Sequence, residues 1–159
     1  MLVCFAGFAQ AQKFGYVNSA AILSVMPEMK QLESSMKAYE SILKKDGEAK
    51  VAAFQQKQEA AGQKKQRGEM TPKEEETVTA ELQKMQEDLY AYSQKMESDM
   101  GEKQQKEMEP ILTKVNTAIK DVAREGNFQY IFDAQSGVIL YADETSDVTA
   151  LVKAKLGLQ

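Results

Sequence analysis

Apolar residues at Val78, Leu82, Met85, Leu89, Tyr92 and Met96 recur at alternating steps of four and three. This pattern leaves a chain few options. It lays one continuous stripe along a helix, and the stripe must be covered by a second helix. An earlier run, Met29, Leu32, Met36, Tyr39 and Leu43, traces a similar stripe, weakens through Asp46, Gly47 and Lys50, and resumes at Val51 and Phe54. A third, Met108, Leu112, Val115, Ile119 and Val122, follows Pro110. The spacing predicts two long helices, the second bent or interrupted at the proline.

Between them lies QRGEMTPKEEE. Gly68 can end a helix, while Thr71, Pro72 and Glu74 supply an N-cap, a proline at the first helical position and the acidic half of a capping box. The two helices therefore fold back on each other about a tight tip, each about 60 Å long at 1.5 Å per residue. A tip centred between Glu69 and Met70 places Phe54 opposite Met85, Leu43 opposite Met96 and Tyr39 opposite Met100. Apolar meets apolar there, whereas the outer arm sets Gly62 against Thr77 and Ala60 against Thr79, so little is buried near the tip. Gly47, Gly62 and Gly101 weaken the helices further, each by roughly 1 kcal/mol relative to Ala.

The two ends of the chain read differently. Lys13–Asn18 is a short strand candidate, as are Phe128–Ala134 and Val138–Ala142, joined by a turn through Gln135–Gly137, and Asp147 is a candidate N-cap for a last helix. The expected fold is mostly α with a small β body: residues 12–26 give its first strand and turn, 27–110 a long antiparallel helical-hairpin arm with its tip near 68–72, and 111–159 the rest. So few strands bury little core, and small sheets of this kind are often completed by other chains. Residues 1–11, MLVCFAGFAQA, are apolar, too short to span a bilayer and end in a small-x-small pattern, which reads as the remnant of an export signal lacking its basic start. A buried first strand is the competing reading. Cys4 follows Val3 where lipidation wants a small residue, so acylation is not expected.

Composition closes off most chemistry. There is no His, the one Cys sits in the presumed signal, and no Gly-rich phosphate loop occurs. The run Glu74–Glu76 is explained by the helix macrodipole, and Asp133 by turn chemistry, so no catalytic residue, metal or cofactor is expected and the chain does not read as an enzyme. A net charge of −4 argues against a nucleic-acid partner. What remains is surface: seven of nine Met fall between Met29 and Met108, where flexible, polarizable side chains suit either a helix seam or promiscuous apolar contact.

Gly15-Tyr16-Val17-Asn18, Ile22-Leu23, Pro27-Glu28, the helical hairpin, then Tyr130-Ile131-Phe132-Asp133, Gly137-Val138, Tyr141-Ala142 and Asp147-Val148-Thr149 together resemble the Skp/OmpH family of periplasmic chaperones. The likeness spans essentially the whole chain after the presumed signal. It implies a homotrimer whose strands form a central β-barrel-like body, with helical arms around a cavity that holds unfolded outer-membrane β-barrel proteins without ATP. Tyr16, Val17, Ile131, Phe132, Val138, Leu140 and Tyr141 would then contribute to the trimer interface, and Met36, Phe54, Met85, Met96 and Met100 to client binding. One departure is the arm charge. Familiar members have basic arms, but Glu28–Pro110 holds 14 Lys and Arg against 18 Asp and Glu, so contact with membrane or lipopolysaccharide is not supported by charge. Two rivals stand beside this reading: a structural coiled-coil trimer or adaptor binding one defined partner through the arm tips, and a prefoldin-like cytoplasmic holdase, which would lack an export signal.

Overall fold

In the computed structural model, which describes residues 12–158, the helical periodicity is realised as two long helices, α2 (Pro27–Gln66) and α3 (Pro72–Glu125). The export-signal reading of residues 1–11, with Cys4, lies outside the described residues. The remaining elements are short: β1 (Phe14–Val17), α1 (Ser19–Leu23), β2 (Tyr130–Asp133) and α4 (Thr149–Lys155), with two 3-10 turns, Ala134–Ser136 and Glu144–Ser146. The protein is thus mostly helical with one small sheet. It divides into two compact units, Leu32–Glu107 and the remainder up to Gln31 and from Met108 onward.

The first unit is the hairpin. Its tip follows the expected chemistry: Gly68 takes φ 68, the left-handed conformation that ends α2 cheaply, and Thr71 caps α3. The capping box is reciprocal, with Glu74 N–H donating to Thr71 Oγ1 at 3.3 Å and Thr71 N–H to Glu74 Oε2 at 2.8 Å. The Thr71 backbone N–H, followed by the Thr71 hydroxyl, donates to the Glu74 carboxyl and holds it below its ordinary pKa. Along the arm, the ion pairs Lys65–Glu75 and Lys57–Glu81 lie within one position of the expected facing register. Nearer its base, Lys103 sits over the Tyr39 ring and Ser35 donates to Glu107, each three positions further along α3 than strict facing predicts. Three positions is about one helical turn, within reach of a long side chain.

Gly47 lies in that register and has a packing role. A Cβ there would meet Tyr92 Cε1 at 3.3 Å, because the Tyr92 ring lies across α2 and its hydroxyl donates to the Leu43 carbonyl at 2.8 Å. Gly62 and Gly101 have open space around them, so the three interior glycines are not equivalent. Pro110 does not interrupt α3, which is helical on both sides of it.

The second unit holds the core. Val17, Ile22, Met26, Ile111, Val115, Ala118, Val122, Val148 and Val152 are buried here, with Ile22, Met26 and Val152 fully so. Residues 111–122 contribute at i, i+4, i+7 and i+11, a helical stripe that keeps Val115 and Val122 of the expected one but buries Ile111 and Ala118 in place of Leu112, which is exposed, and Ile119, which is half-buried. The short α1, formed where the sequence predicts a turn, carries Ile22 into this core and is capped by Asn18 Oδ1, which accepts from Ala21 N–H at 2.9 Å.

The sheet departs from expectation. β1 and β2 pair in parallel, Phe14 with Tyr130 through Val17 with Asp133, so the whole helical hairpin serves as the crossover that a parallel pair requires. Val138–Ala142 forms no strand. After β2, Asp133 Oδ1 accepts from Gln135 N–H and Ser136 Oγ donates to the Asp133 carbonyl, closing a 3-10 turn that carries the chain away from β2. The next bridge to the sheet is at Asp147, which pairs with Tyr16 on the other side of β1. Asp147 does not cap α4 in the expected way, since Val148 occupies the cap position; its carboxylate instead accepts from Thr149 N–H at 2.8 Å.

Candidate assembly surface

Alternation along two short strands sorts their side chains onto opposite faces. Gly15 and Val17 are buried and Ile131 and Asp133 half-buried, whereas Phe14, Tyr130 and Phe132 are exposed and Tyr16 is half-exposed. Four aromatic residues therefore share the outward face of a two-stranded sheet. Parallel register stacks them, with Phe14 to Tyr130 at 5.8 Å between ring centroids and Tyr130 to Phe132 at 6.0 Å.

Beside this face runs the segment after the 3-10 turn. Leu140 is 97% exposed, Tyr141 87% and Val138 71%, values that leave these side chains almost wholly in water. Phe14, Tyr16, Phe132, Val138, Leu140 and Tyr141 line one shallow concavity of about 510 Å³. Burial and the carboxylates of Asp147, Glu144 and Asp143 push the Tyr16 phenol above its usual range.

The structure thus brings together five of the seven residues marked for the interface: Tyr16, Phe132, Val138, Leu140 and Tyr141. Val17 is a correction. It is 2% exposed, packed in the core of its own chain, and has no side-chain surface to offer a second copy. Ile131 points to the same inward side and is half-buried. Phe14 and Tyr130 were missed. Their signal was available in the alternation Phe14-Gly15-Tyr16-Val17, where large aromatics alternate with a small and an aliphatic residue, but it becomes decisive only once Tyr130 is known to lie beside Phe14.

Asp133 fastens this surface to α1. Its carboxylate accepts from the Ser19 hydroxyl and backbone N–H, as well as from Gln135 N–H. Burial pushes the Asp133 pKa up, but the Ser19 and Gln135 donors outweigh it and leave the group below its ordinary value. A carboxylate with a depressed folded pKa stabilises above the unfolded value and loses that contribution as pH falls through the folded one. Asp133→Asn is therefore expected to flatten the loss of thermal stability on acidification below about pH 4, the usual carboxylate range. An acid limb unchanged by the substitution would show that this carboxylate contributes nothing there.

The residues marked for client contact, Met36, Phe54, Met85, Met96 and Met100, all lie in the hairpin unit and are all half-buried along its seam. From Glu33 to Glu107 no side chain is fully buried. Charge is unequal between the two helices of this unit. α2 from Leu32 carries seven Lys against five Asp and Glu, while α3 as far as Glu107 carries five Lys against ten. The Lys57–Glu81 and Lys65–Glu75 pairs run in the direction this imbalance favours. Among the described residues no group of His, Cys, Asp and Glu could hold a metal ion, and no helix is long and apolar enough to cross a membrane.

Known proteins resemble this chain in sequence and fold. Residues 13–156 match the family described as outer membrane protein (OmpH-like). The chaperone protein Skp of Yersinia enterocolitica is 29% identical over 145 residues, covering 89% of this chain and 84% of its own. A solved structure of an OmpH-like protein from Caulobacter crescentus superimposes with a TM-score of 0.77, covering 92% of this chain and 85% of its own at 17% identity, a likeness of fold.

Proposed function

The chain belongs to the OmpH-like outer membrane protein family, the family of Skp-like chaperones, and from that premise we propose that it is an ATP-independent periplasmic holdase. It assembles as a homotrimer through the aromatic sheet face and the Val138–Tyr141 segment, and it holds unfolded outer-membrane β-barrel proteins against its helical arms. The observation that carries the assembly is Leu140 and Tyr141 standing in water beside four outward aromatics, an apolar patch of the kind that marks a protein–protein contact. The backbone of residues 139–142, which makes no backbone hydrogen bond among the described residues, suits strand addition by a neighbouring copy.

Holding an unfolded client requires many weak contacts and no deep pocket. A hairpin whose seam is half-buried throughout offers apolar surface along its length, and joining three chains multiplies weak contacts through effective concentration. The near-balance of charge on the hairpin sets this protein apart from capture by a uniformly basic arm; apolar contact carries the holding. Catalysis plays no part.

The test is capture on dilution. A urea-unfolded outer-membrane β-barrel protein is diluted into the purified protein while light scattering and the mass of soluble complexes are followed. Suppressed scattering with a complex of three chains per client is the expected result. A well-folded trimer that leaves aggregation unchanged would overturn the holdase reading in favour of an adaptor that binds one folded partner.

A further inference from the structure

The hairpin unit carries Met36, Met70, Met85, Met96 and Met100, and each of them is half-buried. A two-helix seam has no third layer to cover it. The same geometry that leaves no side chain between Glu33 and Glu107 fully buried therefore leaves these thioethers open to small solutes while they still hold the helices together. The other unit offers the contrast. Met26 is 0% exposed, as fully buried as Ile22 and Val152. Among the described residues there is no Cys or His to compete for an oxidant.

We infer that Met85, Met96 and Met100 form an oxidation-responsive seam that small peroxides convert to methionine sulfoxide, loosening the hairpin while the body stays folded. The step is a two-electron oxygen transfer. A sulfur lone pair attacks one peroxide oxygen, the S–O bond forms as the O–O bond breaks, and the departing oxygen takes up a proton to leave as water. Sulfur is oxidised and the peroxide reduced. The product is polar and chiral where the seam requires an apolar, flexible side chain, and it can be reversed by sulfoxide reductases. The seam has little to spare at this stretch. Met96 lies one turn from Tyr92, whose hydroxyl donates to the Leu43 carbonyl across the two helices. The inference rests on the hairpin alone and does not depend on the holdase reading.

The experiment doses the full chain with hydrogen peroxide, maps sulfoxide by peptide mass, and follows amide hydrogen exchange. Met85, Met96 and Met100 are expected to convert about tenfold faster or more than Met26, as exposure dictates. Exchange is expected to accelerate about tenfold over Leu82–Met100 and to stay unchanged in α4. Conversion of Met26 at the same rate, or full conversion of the seam without faster exchange, would overturn the inference. A chain with M85L, M96L and M100L keeps seam volume and cannot take up oxygen at these three positions, so it should fold and show no peroxide-driven acceleration of exchange over residues 82–100. Loosening of that variant to the same extent as the parent would equally overturn the inference.

Discussion

Replacing Leu140 and Tyr141 together by Asp is expected to convert the proposed trimer into folded monomers. Both side chains are almost fully exposed in the single chain, 97% and 87%, so the change removes nothing from the chain's own core and its secondary structure should be retained. Assembly is another matter. Burying one such side chain contributes about 2 kcal/mol, so six of them in a trimer represent on the order of 10 kcal/mol, and the substitution also places six unpaired carboxylates against an apolar surface. Sedimentation at micromolar concentration should show the mass of one chain. Tyr90→Asp supplies the control: Tyr90 is 71% exposed but lies in the hairpin unit, and its replacement should leave the assembly intact. If the double variant remains a trimer, the copies meet elsewhere.

The hairpin was legible because its determinants are local. The spacing from Val78 to Met96 needs only neighbours three and four residues away, and the Thr71–Glu74 box specifies the tip within four residues. Once the tip is placed, the facing register follows, which is why Lys57 finds Glu81 and Tyr92 covers Gly47 near the expected positions. The three-position offset at Ser35–Glu107 and Tyr39–Lys103 was not legible, since it depends on how long polar side chains reach across the pair.

The sheet was harder for the opposite reason. Val138–Ala142 has the composition of a strand, and adjacency in sequence to Tyr130–Asp133 suggested that the two would pair. Pairing instead follows contacts more than a hundred residues apart, Phe14 with Tyr130 and Tyr16 with Asp147, and no local spacing encodes them. The turn at Asp133 overrides strand propensity through two hydrogen bonds that composition does not reveal. Face assignment had the same root. Val17 and Tyr16 are equally plausible interface residues until the position of the core decides which side of β1 is inward. Gly47 likewise reads as a helix weakness until the Tyr92 ring is found against it. The candidate assembly surface was therefore visible as a set of apolar residues, and invisible as a face.

Ile22→Ala is expected to be among the most damaging single changes in the chain. Ile22 is 0% exposed, and it is the one buried residue of the five-residue α1, so its truncation leaves a cavity that the short helix can close only by shifting as a whole. Such a change costs about 3–4 kcal/mol in a core, a large share of the 5–15 kcal/mol that stabilises a typical domain. The core of this unit is small, nine buried apolar side chains drawn from five separate stretches of the chain, so little else can absorb the loss. If the copies stabilise one another, mass action makes the deficit recoverable: the melting temperature of the variant should fall by several degrees, then rise with protein concentration more steeply than that of the parent. A melting temperature independent of concentration in both proteins would separate folding from assembly and mean that the body, small as it is, stands alone.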